Sequence, residues 1–125
     1  MMLPNIETFI GCESSFEEAS IVLYGAPFDS TTSFRPGARF GPSAMRHESF
    51  GLETYSPYQD KDIMDIRVFD SGDLELCFGS SEMALSDIEK RAEEILNAEK
   101  FPLLLGGEHL VTLGAVRAVA AKYPE

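Results

Sequence analysis

The 125-residue sequence has little of what marks an exported or membrane protein. Its only cysteines, Cys12 and Cys77, are far apart, and we expect reduced thiols rather than the alternative of one disulfide. No stretch approaches the ~20 consecutive apolar residues that span a bilayer. The first residues, Met1–Glu7, lack the basic segment and apolar run of a secretory signal. We therefore expect a cytoplasmic protein with no membrane partner.

Basic residues are also scarce, with 10 lysines and arginines against 21 acidic residues and a net charge of −11. A surface this acidic repels phosphate backbones, which argues against nucleic acid as a partner. It is compatible with a small cationic molecule, and equally with a solvated surface of no specific role. Hydrophobic residues make up 44% of the chain and charged residues 25%, which is typical of one folded globular domain.

Short apolar segments alternate with helical patterns along the chain. This order predicts an α/β fold with a parallel sheet. The third apolar segment is continuously apolar, as in a strand that is covered on both faces. Strands are predicted at residues 21–26, 66–70 and 101–105.

Three helices are expected between and after these strands. The clearest covers residues 81–98 and has Ser80 or Ser81 as its N-cap. Pro42 is placed where another helix can begin. The third helix runs from residue 109 to residue 122, and one side of it is apolar: Leu110, Leu113, Val116, Val119 and Ala120.

The last residues suggest an unfinished domain. The chain ends at Tyr123-Pro124-Glu125, where a proline stops a helix and a new strand would normally begin. The apolar strand at residues 101–105 also calls for neighbours on both edges. We therefore expect residues 1–125 to be a piece of a longer protein.

The first candidate site is the turn Gly106-Gly107-Glu108-His109, at the C-terminal end of a predicted strand. Ligands of open α/β sheets bind at this end, and two glycines permit a tight turn there. A neutral imidazole suits manganese or zinc, and Glu108 could hold nearby groups in place. A mononuclear site needs three or four protein ligands, yet His47 is the only other histidine. On these four residues alone, a structural role for His109 is the stronger interpretation.

Two further segments are candidates. The loop from Gly25 to Arg46 is long and rich in proline and glycine, and such loops are usually functional. Its arginines could bind a carboxylate, form ion pairs between subunits, or pin the loop to the protein body: Arg35, Arg39 and Arg46. The acidic segment Asp70-Ser71-Gly72-Asp73 could bind a metal or a cationic substrate. We favour a structural role, in which it caps the strand and bonds its own backbone.

Taken together, these segments resemble the ureohydrolase (arginase/agmatinase) family. The stretch from Arg35 to Pro42, followed by Ala44-Met45-Arg46, is similar to the N-terminal signature of agmatinases. Asp70-Ser71-Gly72-Asp73 resembles the Asp-x-Gly-Asp of the family, and Gly106-Gly107-Glu108-His109 resembles its Gly-Gly-(Asp/Glu)-His. Their order and spacing also match, over essentially the whole chain but only the first part of a family member.

The resemblance implies a three-layer α/β/α fold with a mostly parallel, eight-stranded sheet. It also implies a binuclear Mn²⁺ site with His109 as one metal ligand. Two such ions lower the pKa of a shared water that attacks a guanidinium carbon. The other ligands of the family lie in later Asp-Ala-His-x-Asp and Asp-x-Asp motifs, and neither is expected within this part of the chain. We therefore expect the 125-residue chain alone to be inactive.

Agmatine, hydrolysed to putrescine and urea, is the substrate that the resemblance favours. Guanidinobutyrate and arginine are the alternatives within the family. A different class of function is a non-catalytic fragment without a complete metal site. The resemblance also implies a homo-oligomer, a trimer or a hexamer, for the full-length protein.

Overall fold

The computed structural model describes residues 2–125. The chain folds into parallel strands that alternate with helices, as the sequence predicts. A 3-10 turn, Ala38–Phe40, precedes the first helix and another, Ile63–Asp65, precedes the fourth strand. The elements are β1 (Ile21–Ala26), α1 (Gly41–Ser49), β2 (Tyr55–Ser56), β3 (Lys61–Asp62), β4 (Val68–Asp73), α2 (Ser81–Asn97), β5 (Phe101–Gly106) and α3 (Val111–Lys122).

The main sheet has the strand order β4-β1-β5, and both neighbouring pairs are parallel. β1 and β5 run in register from Ile21 opposite Phe101 to Ala26 opposite Gly106. The short strands β2 and β3 form a separate antiparallel hairpin. The α/β class and the parallel sheet are thus confirmed, and the predicted bounds of β1, β5 and α2 agree with the structure to within one residue.

The predicted bounds of β4 were wrong. The strand begins at Val68 and continues through Asp73, whereas the sequence suggested an end before Ser71. The register with β1 slips at this point, because Leu23 lies opposite Asp70 but Gly25 lies opposite Asp73. Gly72, at a φ of 79°, adopts the left-handed conformation that this irregularity requires.

Two helices cover one face of the sheet. α2 and α3 pack against each other and against side chains of the strands, among them Val22, Tyr24 and Phe69. Ser80 caps α2, because its hydroxyl accepts a hydrogen bond from the backbone N–H of Met83. This packing forms the main hydrophobic core and holds the C-terminal ends of the strands at a fixed edge.

The N-terminal segment covers part of the opposite face. Cys12 packs there with Leu23 and Val68, and Ile63 lies against the same cluster. Burial raises the pKa of the Cys12 thiol to about 11, and the nearby Asp70 carboxylate acts in the same direction. Both cysteines are free thiols, as expected. α1 lies on this face too, because its Arg46 binds Asp70, which pairs in register with Leu23. Helices therefore flank both faces of the sheet.

The orientation of α3 differs from the apolar side suggested by the sequence. The buried residues of this helix are Val111, Gly114 and Ala118. Gly114 permits the close approach of α2, since a Cβ there would lie 2.8 Å from the Cβ of Ile88. The side with Leu113, Val116 and Val119 is instead partly exposed. α3 is apolar over much of its circumference, so periodicity alone did not specify its buried face.

The two edges of the sheet are unlike each other. At the β4 edge, an antiparallel bridge joins Glu13 to Phe69, so the N-terminal segment lies against that strand. Within residues 2–125, β5 pairs only with β1, and Phe101 and Leu103 are exposed beside its outer edge. In the same part of the chain, none of the helices combines the length and apolar character needed to cross a bilayer.

Candidate functional site

The turn that follows β5 brings His109 to the C-terminal edge of the sheet. The backbone N–H of Glu108 donates to the carbonyl of Phe28 at 2.8 Å, which joins this turn to the chain that leaves β1. Gly107 is required for this approach, because a Cβ there would lie 2.5 Å from the carbonyl oxygen of Ala26 and 2.6 Å from that of Phe28. The imidazole of His109 is exposed at this position.

The carboxylate of Glu108 is directed away from solvent, and the residue is only 9% exposed. One oxygen, Oε2, accepts a hydrogen bond from the backbone N–H of Thr31 at 2.9 Å. The other, Oε1, accepts from the Thr31 hydroxyl. The sequence suggested that Glu108 holds neighbouring groups, and the structure identifies Thr31 as the group that it holds.

A second carboxylate, Asp29, holds a later part of the Gly25–Arg46 loop, the loop that also contains Thr31. Its Oδ2 accepts from the backbone N–H of Gly37 at 2.6 Å and from the backbone and Nε of Arg39 at 3.2 and 3.1 Å. Burial alone would raise the pKa of Asp29, but these donors and the Arg39 charge hold that pKa below its usual value. Arg39 also lies over the ring of Phe78 at 5.1 Å.

The loop and the His109 turn form the walls of an open cleft of about 740 Å³. Residues on both sides line it: Thr31, Thr32, Ser33, Phe34, Arg35, Glu108, His109, Leu110 and Leu113. Phe34 is 85% exposed at the tip of the loop. A cleft with a histidine at the carboxyl end of parallel strands is the place where an α/β sheet binds ligands.

Another cleft, of about 540 Å³, lies at the opposite end of the sheet near Ser20 and Phe101. It adjoins the amino ends of the strands, which are not the ligand-binding end of a parallel sheet. Its lining includes Lys100 and Lys122 but no histidine. Both lysines already donate to backbone carbonyls, which indicates a structural role. The His109 cleft is therefore the candidate site.

The acidic motif at the end of β4 has a different environment. Arg46, which is 1% exposed, donates from Nε and Nη2 to the two oxygens of Asp70 at 2.9 and 3.0 Å. Its Nη1 also donates to Asp73. Burial would lower the pKa of Arg46, but these two carboxylates reverse the effect and raise the pKa above its usual value. The cluster is a buried, hydrogen-bonded ion-pair network.

The register slip in β4 explains why both aspartates reach one arginine. Asp70 and Asp73 are three residues apart, and in a regular strand they would point to opposite faces. The extra residue at the slip returns Asp73 to the face of Asp70. Gly25 leaves the space for Asp73, because a Cβ there would lie 1.8 Å from its Oδ1. The spacing of the two aspartates, with Gly72 in the motif and Gly25 on β1, therefore serves the ion pair.

These contacts decide between the roles that the sequence left open. Asp70 also accepts from the backbone N–H groups of Gly72 and Phe9, at 3.0 and 2.8 Å, which supports its structural role. Arg46 pins the Gly25–Arg46 loop to the body of the protein through Asp70, whereas Arg39 pairs with Asp29 inside the same loop. Arg35 is exposed at the rim of the cleft and lies against the ring of Phe34 at 5.1 Å. Sequence reasoning did not single out Asp29 or Thr31. The partner of Thr31, Glu108, is 77 residues away in the sequence. The contacts of Asp29 with Gly37 and Arg39 form only when the loop folds.

The metal-binding capacity of this part of the chain is small. Within residues 2–125, no group of three or more His, Cys, Asp or Glu side chains is placed to hold an ion. The one Asp-x-Asp sequence, Asp60-Lys61-Asp62, lies in the β2–β3 hairpin. Asp60 accepts from the Tyr55 hydroxyl and Asp62 caps the following 3-10 turn. His109 therefore lacks the partners for a complete metal site in these residues.

Comparison with known sequences identifies one family over most of the chain. A profile of the arginase family matches residues 19–125. The chain is 49% identical to an agmatinase of Bacillus cereus over 119 residues, covering 95% of this chain and 41% of that protein. It is 41% identical to the N(1)-aminopropylagmatine ureohydrolase of Thermococcus kodakarensis over 105 residues, covering 82% and 36%. The chain thus spans about two fifths of the length of these relatives.

Solved structures agree with this match. The agmatine ureohydrolase of Thermoplasma volcanium superimposes with a TM-score of 0.85 at 32% identity, over 91% of this chain and 39% of that one. The oxidized formiminoglutamase of Trypanosoma cruzi, crystallised with Mn²⁺, gives a TM-score of 0.78 at 25% identity, over 91% and 41%. The family profile, the sequence identities and the fold agree, and the chain belongs to the arginase family.

Proposed function

We propose that residues 1–125 are the N-terminal portion of a single ureohydrolase domain. The whole protein would hydrolyse guanidino compounds and release urea. Its preferred substrate would be agmatine, with putrescine as the second product. The observation that carries this proposal is the exposed imidazole of His109 in an open cleft, at the carboxyl end of the sheet of an arginase-family chain.

We infer that His109 is one ligand of a manganese site. Its support is chemical, because the imidazole is free to bind while the nearby carboxylate of Glu108 is occupied by Thr31. A family member of similar fold was crystallised with Mn²⁺. One imidazole cannot hold the ion, so the remaining ligands would come from other parts of the complete protein. The 125-residue chain alone would therefore be inactive.

Agmatine is the preferred substrate because relatives that are 48% and 49% identical to this chain are agmatinases. Another relative, 41% identical, is named N(1)-aminopropylagmatine ureohydrolase. Guanidinobutyrate and arginine stay as alternatives, since Arg35 at the cleft rim is a cation that could bind their carboxylates. The net charge of −11 favours a cationic substrate in general. The cytoplasmic location and a trimeric or hexameric assembly remain predictions.

The decisive experiment uses the product of the complete reading frame that encodes these residues. Urea release is measured with agmatine, guanidinobutyrate and arginine, in the presence of Mn²⁺ and after chelation. We expect the highest kcat/KM for agmatine and loss of activity on chelation. No urea from any of the three compounds would overturn the proposed function, whereas a preference for guanidinobutyrate or arginine would overturn only the choice of substrate.

The two histidines of the chain provide a matched pair of variants. His109→Ala should remove at least one manganese ion per subunit and most of the activity. His47→Ala should change neither, because His47 is exposed on α1, away from the cleft, and pairs with Glu7 at 3.6 Å. Equal manganese content in His109→Ala and wild type would contradict the assignment of His109.

The alternative, a non-catalytic fragment, makes a distinct prediction. If the reading frame ends at Glu125, the product has one candidate ligand and no hydrolytic activity. Calorimetry on the 125-residue chain should then detect weak manganese binding or none. Tight, stoichiometric binding to this chain would contradict both the ligand count and the proposal that further ligands are needed.

A further inference from the structure

The cleft wall opposite His109 is a loop, Ser30–Pro36, with few contacts of its own. Its tip is exposed, and the Phe34 side chain packs mainly against Arg35. A loop of this kind is expected to open locally, because it buries little apolar surface. The structure instead ties both of its ends to carboxylates.

Asp29 closes one end of the loop. Its carboxylate accepts hydrogen bonds from Gly37 and Arg39, so the two ends of the segment are held side by side. Gly37 adopts a φ of 138°, and a Cβ there would meet open space, so its conformation rather than crowding requires glycine. This bond fixes the base of the loop but does not determine where the loop lies relative to His109.

Glu108 supplies that second constraint. It adjoins His109 in sequence, and its two oxygens accept the backbone N–H and the hydroxyl of Thr31. Hydrogen bonds to an ionised acceptor are stronger than neutral ones, and partial burial protects them from competing water. Any movement of Thr31 away from the His109 turn would break both bonds and leave a nearly buried carboxylate without these partners.

We propose that Glu108 is a positioning residue that locks the Ser30–Pro36 loop against the His109 turn. The loop then offers a preformed wall to the part of a guanidino substrate that lies away from the reacting carbon. The lock is a property of this chain, and its effect on substrate rests on the proposed function. Glu108 acts through Thr31 and the loop, since both its oxygens are engaged.

The lock predicts a measurable rate of loop opening. Chymotrypsin should cut the Phe34–Arg35 bond of the 125-residue chain slowly, despite the exposure of Phe34. Glu108→Ala should accelerate this cleavage by about 10- to 100-fold, because two hydrogen bonds to a charged group are lost. Thr31→Val keeps the N–H bond and should give a smaller increase, of roughly tenfold or less.

Two controls separate the lock from general loosening. Cleavage after Tyr58, which is 99% exposed in the β2–β3 hairpin, is measured in the same samples and should not change. Glu93→Gln, at an exposed glutamate of α2, should leave both rates unaltered. Faster cleavage at both sites would indicate global unfolding and would overturn the proposal. Thr31→Val is the variant that tests the lock with the smallest change to the fold.

The double variant tests direct coupling. If Thr31 acts through Glu108, Thr31→Val should add little to the effect of Glu108→Ala on cleavage. Multiplication of the two effects would show that they act independently and would overturn the lock.

Activity forms a separate arm, measured on the product of the complete reading frame. Glu108→Ala should raise KM for agmatine by more than it lowers kcat and should leave the manganese content unchanged. Loss of manganese together with kcat would contradict the positioning role. Absence of urea release from the wild type would overturn the proposed function, while the cleavage rates would still decide whether the lock exists.

Discussion

Two motifs lie at the carboxyl ends of β4 and β5, the strands on either side of β1, and the protein uses them differently. In Asp70-Ser71-Gly72-Asp73, both aspartates are bound to the buried guanidinium of Arg46. In Gly106-Gly107-Glu108-His109, the carboxylate is occupied by Thr31 while the imidazole is exposed at a cleft. Both motifs contain residues that bind metals in proteins. The comparison teaches that an exposed side chain able to bind a metal, rather than the number of acidic residues, identifies the candidate site.

The largest expected effect on stability comes from a substitution at the acidic motif, Asp70-Ser71-Gly72-Asp73. Arg46→Met would leave Asp70 and Asp73 facing each other without a cation, in a site where Arg46 is 1% exposed. We expect the free energy of unfolding to fall by about 3–5 kcal/mol, as measured by urea denaturation. Arg35→Met, at an exposed arginine, is the control and should change it by less than about 0.5 kcal/mol. Equal effects of the two changes would refute the structural role of the cluster.

The next largest effect concerns the His109 turn itself. Gly107→Ala places a Cβ about 2.5 Å from backbone carbonyl oxygens that cannot rotate away. The cost should be about 2–3 kcal/mol in the free energy of unfolding, typical of overpacking in a constrained site. In Gly51→Ala the new Cβ meets its nearest atom, a carbonyl oxygen, at 3.5 Å, and little change is expected. An unchanged free energy of unfolding in Gly107→Ala would mean that the turn does not need its close approach to β1.

A smaller effect on the free energy of unfolding is expected at Asp29, whose carboxylate holds the base of the Ser30–Pro36 loop. The pKa of Asp29 is lower in the folded state than in the unfolded chain, so the folded state binds the proton less readily. Its stabilising contribution is therefore present above the unfolded value of about 3.9 and is lost as the pH falls through the lower, folded pKa. Unfolding free energies of wild type and Asp29→Asn, measured from pH 6 to pH 3, should converge toward acid pH. A constant difference would exclude this titration.

The smallest effect on stability is expected at His109. Its imidazole is exposed, and His109→Ala should change the free energy of unfolding by no more than about 0.5 kcal/mol. Thermal or urea unfolding of the 125-residue chain provides the measurement. A loss as large as that of Arg46→Met would show that His109 is a structural residue and would remove the contrast between the two motifs.

Much of the fold could be predicted from local pattern. The apolar segment Ile21–Ala26 and the amphipathic α2 had clear periodicities, and their bounds were recovered. The bounds of β4 were not, because Ser71-Gly72-Asp73 is typical of a turn and the register slip depends on pairing with β1. The face of α3 was ambiguous because apolar residues surround it, and packing on α2 selected Gly114.

The position of His109 at the sheet edge was predictable, but the contacts around it were not. The family resemblance singled out His109, and the turn before it was a sound guide to its position at the sheet edge. Nothing in the sequence pairs Glu108 with Thr31, since 77 residues separate them. The partnership of Arg46 with two aspartates also required the bulge that places both on one face. Contacts between distant residues arise from the topology, which local pattern does not encode.

The most direct test of the account is the manganese content of the complete gene product, purified as wild type, His109→Ala and Arg46→Met. The account predicts that His109→Ala folds with near-normal stability but lacks at least one ion per subunit. It predicts that Arg46→Met is destabilised, while its folded fraction keeps the wild-type metal content. A His109→Ala protein with unchanged manganese would contradict the central claim that this exposed imidazole is a metal ligand.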